Sequence, residues 1–343
     1  MSTSDSKAVP FGGREIDHEP AYALKTEDYT VGWVCALLLE MAAEKGMLDR
    51  LHPNLPEQDA SDHNNYILGQ IQGHNIGIAG LPAGIYGTTP AATVAKDKLR
   101  TFRSIRFCLM VGIGGAAPSP DHDIRLGDVV VSLPTGTTGG VIQYDRGKAI
   151  TGGSFERTGF LSPPPKVLLT AVARLQADQL SGDCRVPDIV SEFLSNLKKS
   201  RLRKKFGYQG ESNDCLFRAD YDHVDPGSSC DVCDPSQAVQ RDPRDDADPV
   251  VHYWNIASGN LVVKDGALRD RLSRGLGVLC FEMEAAGLMQ DFPCLMIRGM
   301  CDYSDSHKNK MWQEYAALTA AGFAKELLMA IPPTRVVQEK PIP

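Results

Sequence analysis

Short apolar runs of the kind that lie buried on both faces of a sheet recur along this chain, and most are followed by a stretch with helical spacing. The first is Tyr29 to Ala36, and the Leu/Met/Ala-rich segment from Leu37 to Leu51 follows it. Further buried-strand candidates are His74 to Ala79, Phe107 to Gly112, Asp128 to Ser132, His252 to Ala257, Gly277 to Phe281 and Cys294 to Arg298. Helical spacing covers Thr89 to Thr101, Pro165 to Leu180, Val186 to Lys199, Lys264 to Arg274, Met283 to Gln290 and Met311 to Ile331. Such alternation predicts an α/β fold with helices on both faces of a sheet. At 343 residues and 42% hydrophobic content the chain can bury a sizeable core.

Three segments break the alternation. Residues 1–26 are polar and aperiodic and are expected to form a loose leader ahead of a domain covering 27–335. From about 202 to 249 the chain is rich in Asp, Pro, Gly, Ser and Arg, which reads as a surface insertion. The Pro-rich end, 336–343, is expected to leave the fold as a tail.

No run approaches the roughly 20 apolar residues that span a bilayer, and the N-terminal segment lacks a signal-peptide core, so no membrane association and a cytoplasmic location are expected. The nine cysteines, several within apolar runs, read as reduced packing thiols. A net charge of −7 argues against nucleic acid as a partner, because phosphate neutralisation needs a basic surface. The basic run from Lys198 to Lys205 reads instead as a solvated face. Cys230-Asp231-Val232-Cys233, with Cys215 and His223 upstream, has the spacing of zinc ligands, but one such pair is weak evidence. The reading adopted is unpaired thiols, with no metal and no cofactor.

Two acidic clusters, Glu282/Glu284 and Asp302/Asp305, each follow an apolar strand, where ligands of open α/β sheets collect. Carboxylates there can do acid/base work if their surroundings let them hold a proton. They can equally cap a helix and a turn, and the residues alone leave both readings open. The glycine-rich run Val111 to Pro118 lets backbone approach a ligand, with Gly112 and Gly114 as candidates, but it lacks both the dinucleotide and the phosphate-loop spacing.

Seven ordered motifs sharpen this. They are the opening strand ending in Glu40, VGIGG, DIRLGDVVVS at Asp123 to Ser132, GGVIQYD at Gly139 to Asp145, IASGN at Ile256 to Asn260, FEMEAAG at Phe281 to Gly287 and IRGMCDYSD at Ile297 to Asp305. Together they resemble the nucleoside phosphorylase and nucleosidase superfamily from about Tyr29 to Ile331. Within it the chain is most similar to fungal members whose domain often heads larger receptor-like proteins.

The resemblance implies a three-layer αβα sandwich around a mixed twisted sheet and cleavage of a purine N-glycosidic bond, as in purine salvage. It implies Asp302 as the acid that protonates the leaving base, Glu284 as the ribose-hydroxyl partner, Met283 as the residue packed on the sugar, and Val262 and Val263 as backbone partners of the base edge. Glu40 matches the glutamate that nucleosidases use to activate water, although a glutamate in a first helical turn is also a plain capping residue. Phosphorylases hold phosphate with an arginine two residues before the first glycine of the VGIGG-type run, and here that residue is Met110. Hydrolysis of adenosine, inosine or guanosine is therefore expected, with phosphorolysis and non-catalytic nucleoside sensing as the alternatives. Tyr144, Tyr303, His252 and Gln143 are candidates for the 5′-hydroxyl. The resemblance also implies a homo-oligomer, most simply a dimer. Cys301 reads as packing, since the chemistry needs no covalent intermediate.

Overall fold

The computed structural model describes residues 24–151, 154–225 and 230–342. The expected leader, 1–26, lies outside these but for its last three residues. In chain order the elements are β1 (Val31–Cys35), α1 (Leu38–Met47), β2 (Arg50–Leu51), β3 (Tyr66–Ile71), β4 (His74–Gly80), α2 (Thr88–Thr101) and β5 (Phe107–Ala116). The middle of the chain supplies β6 (Val129–Ser132), β7 (Val141–Gln143), β8 (Gly147–Ile150), β9 (Ser154–Arg157), α3 (Lys166–Leu180), α4 (Val186–Asn196) and α5 (Ser200–Phe206). There follow β10 (Val251–Trp254), β11 (Ile256–Ser258), α6 (Gly266–Leu276), β12 (Cys280–Glu282), α7 (Ala285–Leu288), β13 (Cys294–Asp302), α8 (Gln313–Met329) and α9 (Pro333–Gln338).

Eleven strands form one mixed sheet, ordered β10-β6-β13-β5-β1-β4-β3-β2, with β12, β11 and β7 branching from the far end of β5. The centre is parallel: β1 pairs with β4 and β5, and β5 with β13. It is bounded by antiparallel pairs, β3 with β4 and β6 with β13. Helices cover both sides, as the alternation predicts. The central strands read as continuous apolar runs because both of their faces are covered. All five residues of β1 and all nine of β13 are buried, and α8 lies along β5 and β13.

The run expected as one strand from His252 to Ala257 is two. It breaks at Asn255, whose side chain bonds Thr135, Thr138 and the Gly277 carbonyl, and the chain passes from the side of β6 to that of β7 and β12. β3 was not singled out from sequence. Its two-residue turn into β4 has positive φ at both Gln72 (47°) and Gly73 (85°), the twist that suits a tight hairpin.

Among the described residues between α5 and β10 there is no strand of the sheet and no α-helix, yet this segment is docked rather than lying loosely on the surface. Arg244 donates to both oxygens of buried Asp128 at 2.7 Å, and Arg241 donates to the Tyr303 hydroxyl at 2.8 Å and the Asp214 carbonyl at 2.9 Å. Burial opposes charge on Asp128, but the hydrogen bonds and charges of Arg244 and His252 outweigh it and hold the carboxyl below its ordinary range.

The expected tail returns to the core. α9 buries Val336, and beyond it Ile342 is buried with its amide on the Ile105 carbonyl at 2.8 Å. Two buried apolar side chains in so short a segment gave too little pattern to read.

Candidate active site

The glycine-rich run beginning at Val111 forms the last half of β5, which ends at Ala116. Its glycines are required by what the neighbouring strands and α1 push against it. A Cβ at position 112 would lie 2.3 Å from Arg298 Nη1 and 2.5 Å from Glu40 Oε1, and one at 115 would lie 2.1 Å from Ser304 Oγ and 2.7 Å from Asp302 Oδ1. At Gly114 the Phe281 carbonyl would be 3.1 Å away. Polar side chains occupy the space that a substituted strand would fill.

Glu40 enters from the first turn of α1. Its Oε2 accepts from the amides of Ala36 (2.7 Å) and Leu37 (2.8 Å), the capping role that its position suggests. Its Oε1 reaches across to the Ile113 amide at 2.8 Å, and the side chain is buried rather than solvent-facing. The capping reading holds for one oxygen, and the other is turned to β5. Burial raises the Glu40 carboxyl above its ordinary value, and the Arg298 charge and the three amides oppose the rise.

In the Glu282/Glu284 cluster the helix-capping role falls to Glu282, not Glu284. Glu282 accepts from the amides of Glu284 (3.1 Å) and Ala285 (3.0 Å) at the start of α7. That frees Glu284, whose Oε1 accepts from the Gly87 amide at 3.3 Å and whose Oε2 lies 3.5 Å from Arg298 Nη2. Arg298 also pairs with Glu282 and is fully buried. Three carboxyls thus share one guanidinium, whose Nε and Nη1 have no hydrogen-bond partner. With all three ionised the interior would carry excess negative charge, so the cluster favours holding a proton.

Burial, and then Glu282 and Glu40, push Glu284 up to about 7 against the pull of Arg298. A raised carboxyl is most stabilising in the fold below its ordinary value near 4.3, and the contribution is lost as pH rises through about 7. Chemical-denaturation midpoints followed from about pH 5 to pH 8 should therefore fall, with a contribution from this group of roughly 3 kcal/mol. Glu284→Gln should flatten that slope; an unchanged slope would place the proton elsewhere.

Asp302 closes β13 beside Gly115. Its Oδ1 accepts from the Ser304 amide at 2.9 Å, a turn cap, while Oδ2 takes Lys308 Nζ at 2.7 Å and the Cys301 thiol at 3.1 Å. Asp302, Leu126, Cys215, Tyr303, His307 and Met311 line a cavity of about 400 Å³ walled partly by the docked insertion. Glu40 and Glu284 do not line that cavity. The structure gathers Glu40 and Glu284 around Arg298, and sets Asp302 farther along the same two strands, beside Gly115 where Arg298 lies beside Gly112.

The remaining candidates divide. Met283 is partly buried next to Glu284, and Val262 is exposed where Val263 packs with Tyr144 and Phe281. Tyr144 donates its hydroxyl to the Leu261 carbonyl at 2.9 Å. Tyr303 turns its hydroxyl to the insertion, where it bonds Asp214 and Arg241. His252 is on Asp128 and Gln143 on Asp145, so all four candidates for a 5′-hydroxyl have internal partners. Arg298 was missed. Its signal was a lone arginine inside the apolar run Leu295 to Met300, a place where charge is retained only if paired.

No family model matches the chain. It is 48% identical over 311 residues to a nucleotide-binding leucine-rich repeat (NLR)-like protein of Hyaloscypha variabilis, a match that covers 91% of this chain but only 30% of that relative's length. It is 23% identical over 308 residues to a 5′-methylthioadenosine/S-adenosylhomocysteine nucleosidase of Mycobacterium bovis, covering 88% and 97% of the two chains. Similar solved structures include the corresponding Helicobacter pylori nucleosidase in complex with a pyrrolidinol ligand (TM-score 0.56, 13% identity, 88% and 98% covered) and the H. pylori futalosine hydrolase (TM-score 0.53, 14% identity, 88% and 97% covered). The chain shares the fold of these two hydrolases.

Proposed function

We propose that this chain hydrolyses the N-glycosidic bond of purine nucleosides such as adenosine, inosine or guanosine, releasing the free base and ribose. The observation that carries the reading is the carboxylate of Glu40, fixed by three backbone amides over side-chain-free Gly112 and beside the unpartnered, buried Nη1 of Arg298. A carboxylate with a donor beside it can orient a water and take its proton.

In this mechanism Lys308 leaves Oδ2 of Asp302 as the base arrives, the freed carboxylate takes a proton from solvent in the cavity, and Asp302 delivers that proton to N7 of the purine as the C1′–N9 bond breaks and its electron pair passes to the base. Glu284 accepts from ribose hydroxyls and favours the positive charge growing on the sugar. The water oxygen bonds to C1′ and its proton passes to Glu40. Phosphate finds no partner at Met110, which is fully buried in the main core.

Incubating the full chain with each of the three nucleosides and separating the products by chromatography should yield free base from at least one. No base release from any of them would overturn the proposal.

A second reading, a nucleoside-recognition module without turnover, is favoured by the 48% identity to part of a much longer NLR-like protein. Nucleoside binding with no base release supports it.

A further inference from the structure

We propose that the docked insertion carries a zinc site formed by His223, Cys230 and Cys233, with Cys215 as the fourth ligand. One ligand atom from each of the first three lies within 4.8 Å of the others, and Cys215, outside this group, would have to close on the metal. Two cysteines three positions apart, with a histidine just upstream, is the arrangement structural zinc selects, because thiolate and imidazole suit this borderline-soft cation.

The surroundings point the same way. His223 is 7% exposed and its Nε2 is buried with no hydrogen-bond partner, a vacancy that a ligand bond fills. Its ring leans on His307 at 5.2 Å, and His307 in turn is stacked on Phe217 at 4.1 Å, so the imidazole is held by packing. Each thiol that binds a divalent cation releases its proton to solvent. Coordination through Nε2 puts the ring proton on Nδ1, so the Asp225 amide that now donates to Nδ1 at 3.1 Å turns away on loading.

The site also has a place in the molecule. Cys215, Cys230 and His307 line the same cavity as Asp302. A metal bonded to these cysteines cross-links the two halves of an insertion whose described residues beyond α5 hold no α-helix and no strand of the main sheet, and so fixes the cavity wall facing the carboxylate. Stabilisation by a ligand bound only to the folded form follows by mass action.

The test is metal analysis of the full chain purified with reductant, loaded with zinc and dialysed. About one zinc per chain is expected, lost in Cys230→Ser/Cys233→Ser, with a lower melting temperature in the presence of chelator. Should that variant fail to fold, cobalt loading of the unmodified chain decides: sulfur-to-cobalt charge-transfer bands and tetrahedral d–d bands support the site, and an octahedral spectrum overturns it. Zinc retained equally by a folded double variant overturns it too, as does a Cys230–Cys233 disulfide forming in the reduced, zinc-loaded protein.

Discussion

Asp302→Asn is expected to lower turnover of a purine nucleoside by about 10²–10⁴-fold while changing nucleoside affinity by no more than about threefold. Asparagine keeps the shape and can still accept from the Ser304 amide, so the turn that closes β13 survives. It cannot supply a proton to the leaving base. It also removes the charge that holds Lys308, whose ammonium is raised above its ordinary value because Asp302 and nearby groups outweigh its burial. Single-turnover rates paired with calorimetric binding separate these effects. Unchanged turnover would remove Asp302 from the chemistry, and equal losses in both would make it a binding residue.

Arg298→Met should be the most damaging single change to the fold. The side chain is 0% exposed and is the counter-charge to Glu282 and Glu284, with Glu40 also within its field. Removing one partner of a buried charge cluster typically costs about 3–5 kcal/mol, because the remaining charges stay behind unpaired. Adding Glu282→Gln should recover part of the loss by taking away one of those charges, although it weakens the cap on α7. Urea midpoints of the single and double variants measure this. A neutral effect of Arg298→Met would mean that the three carboxyls are already uncharged in the folded protein.

The parts of the fold that were legible in sequence are those with a local signature. The central strands announce themselves as apolar runs because both faces are covered, and α8, buried along most of its length, is apolar nearly all round. β2, β7, β8 and β9 span two to four residues each, too few to show a period. The break at Asn255 depends on Thr135 and Thr138, which lie more than a hundred residues away in sequence.

The site follows the same logic. Glu40, Glu284 and Asp302 could be marked by their position after strands and by motif resemblance, but their grouping could not. The contact between Glu40 and Ile113 spans 73 residues, and Arg298 meets Glu282 across 16. Gly112 and Gly114 were read as letting backbone approach a ligand. The physical reason for these and for Gly115 is crowding by Arg298, Glu40, the Phe281 carbonyl, Ser304 and Asp302, which only the assembled strands reveal. The insertion was hardest to read, since its order comes from ion pairs such as Arg244 with Asp128 and not from any periodicity.

The central claim is that water, positioned by Glu40 and Arg298, attacks the ribose. The most direct measurement is base release from a nucleoside the chain accepts, in rigorously phosphate-free buffer and again with phosphate added, with the sugar product identified. The account predicts the same rate in both buffers, with free ribose as the product. Release that appears only with phosphate, yielding ribose 1-phosphate, would contradict it.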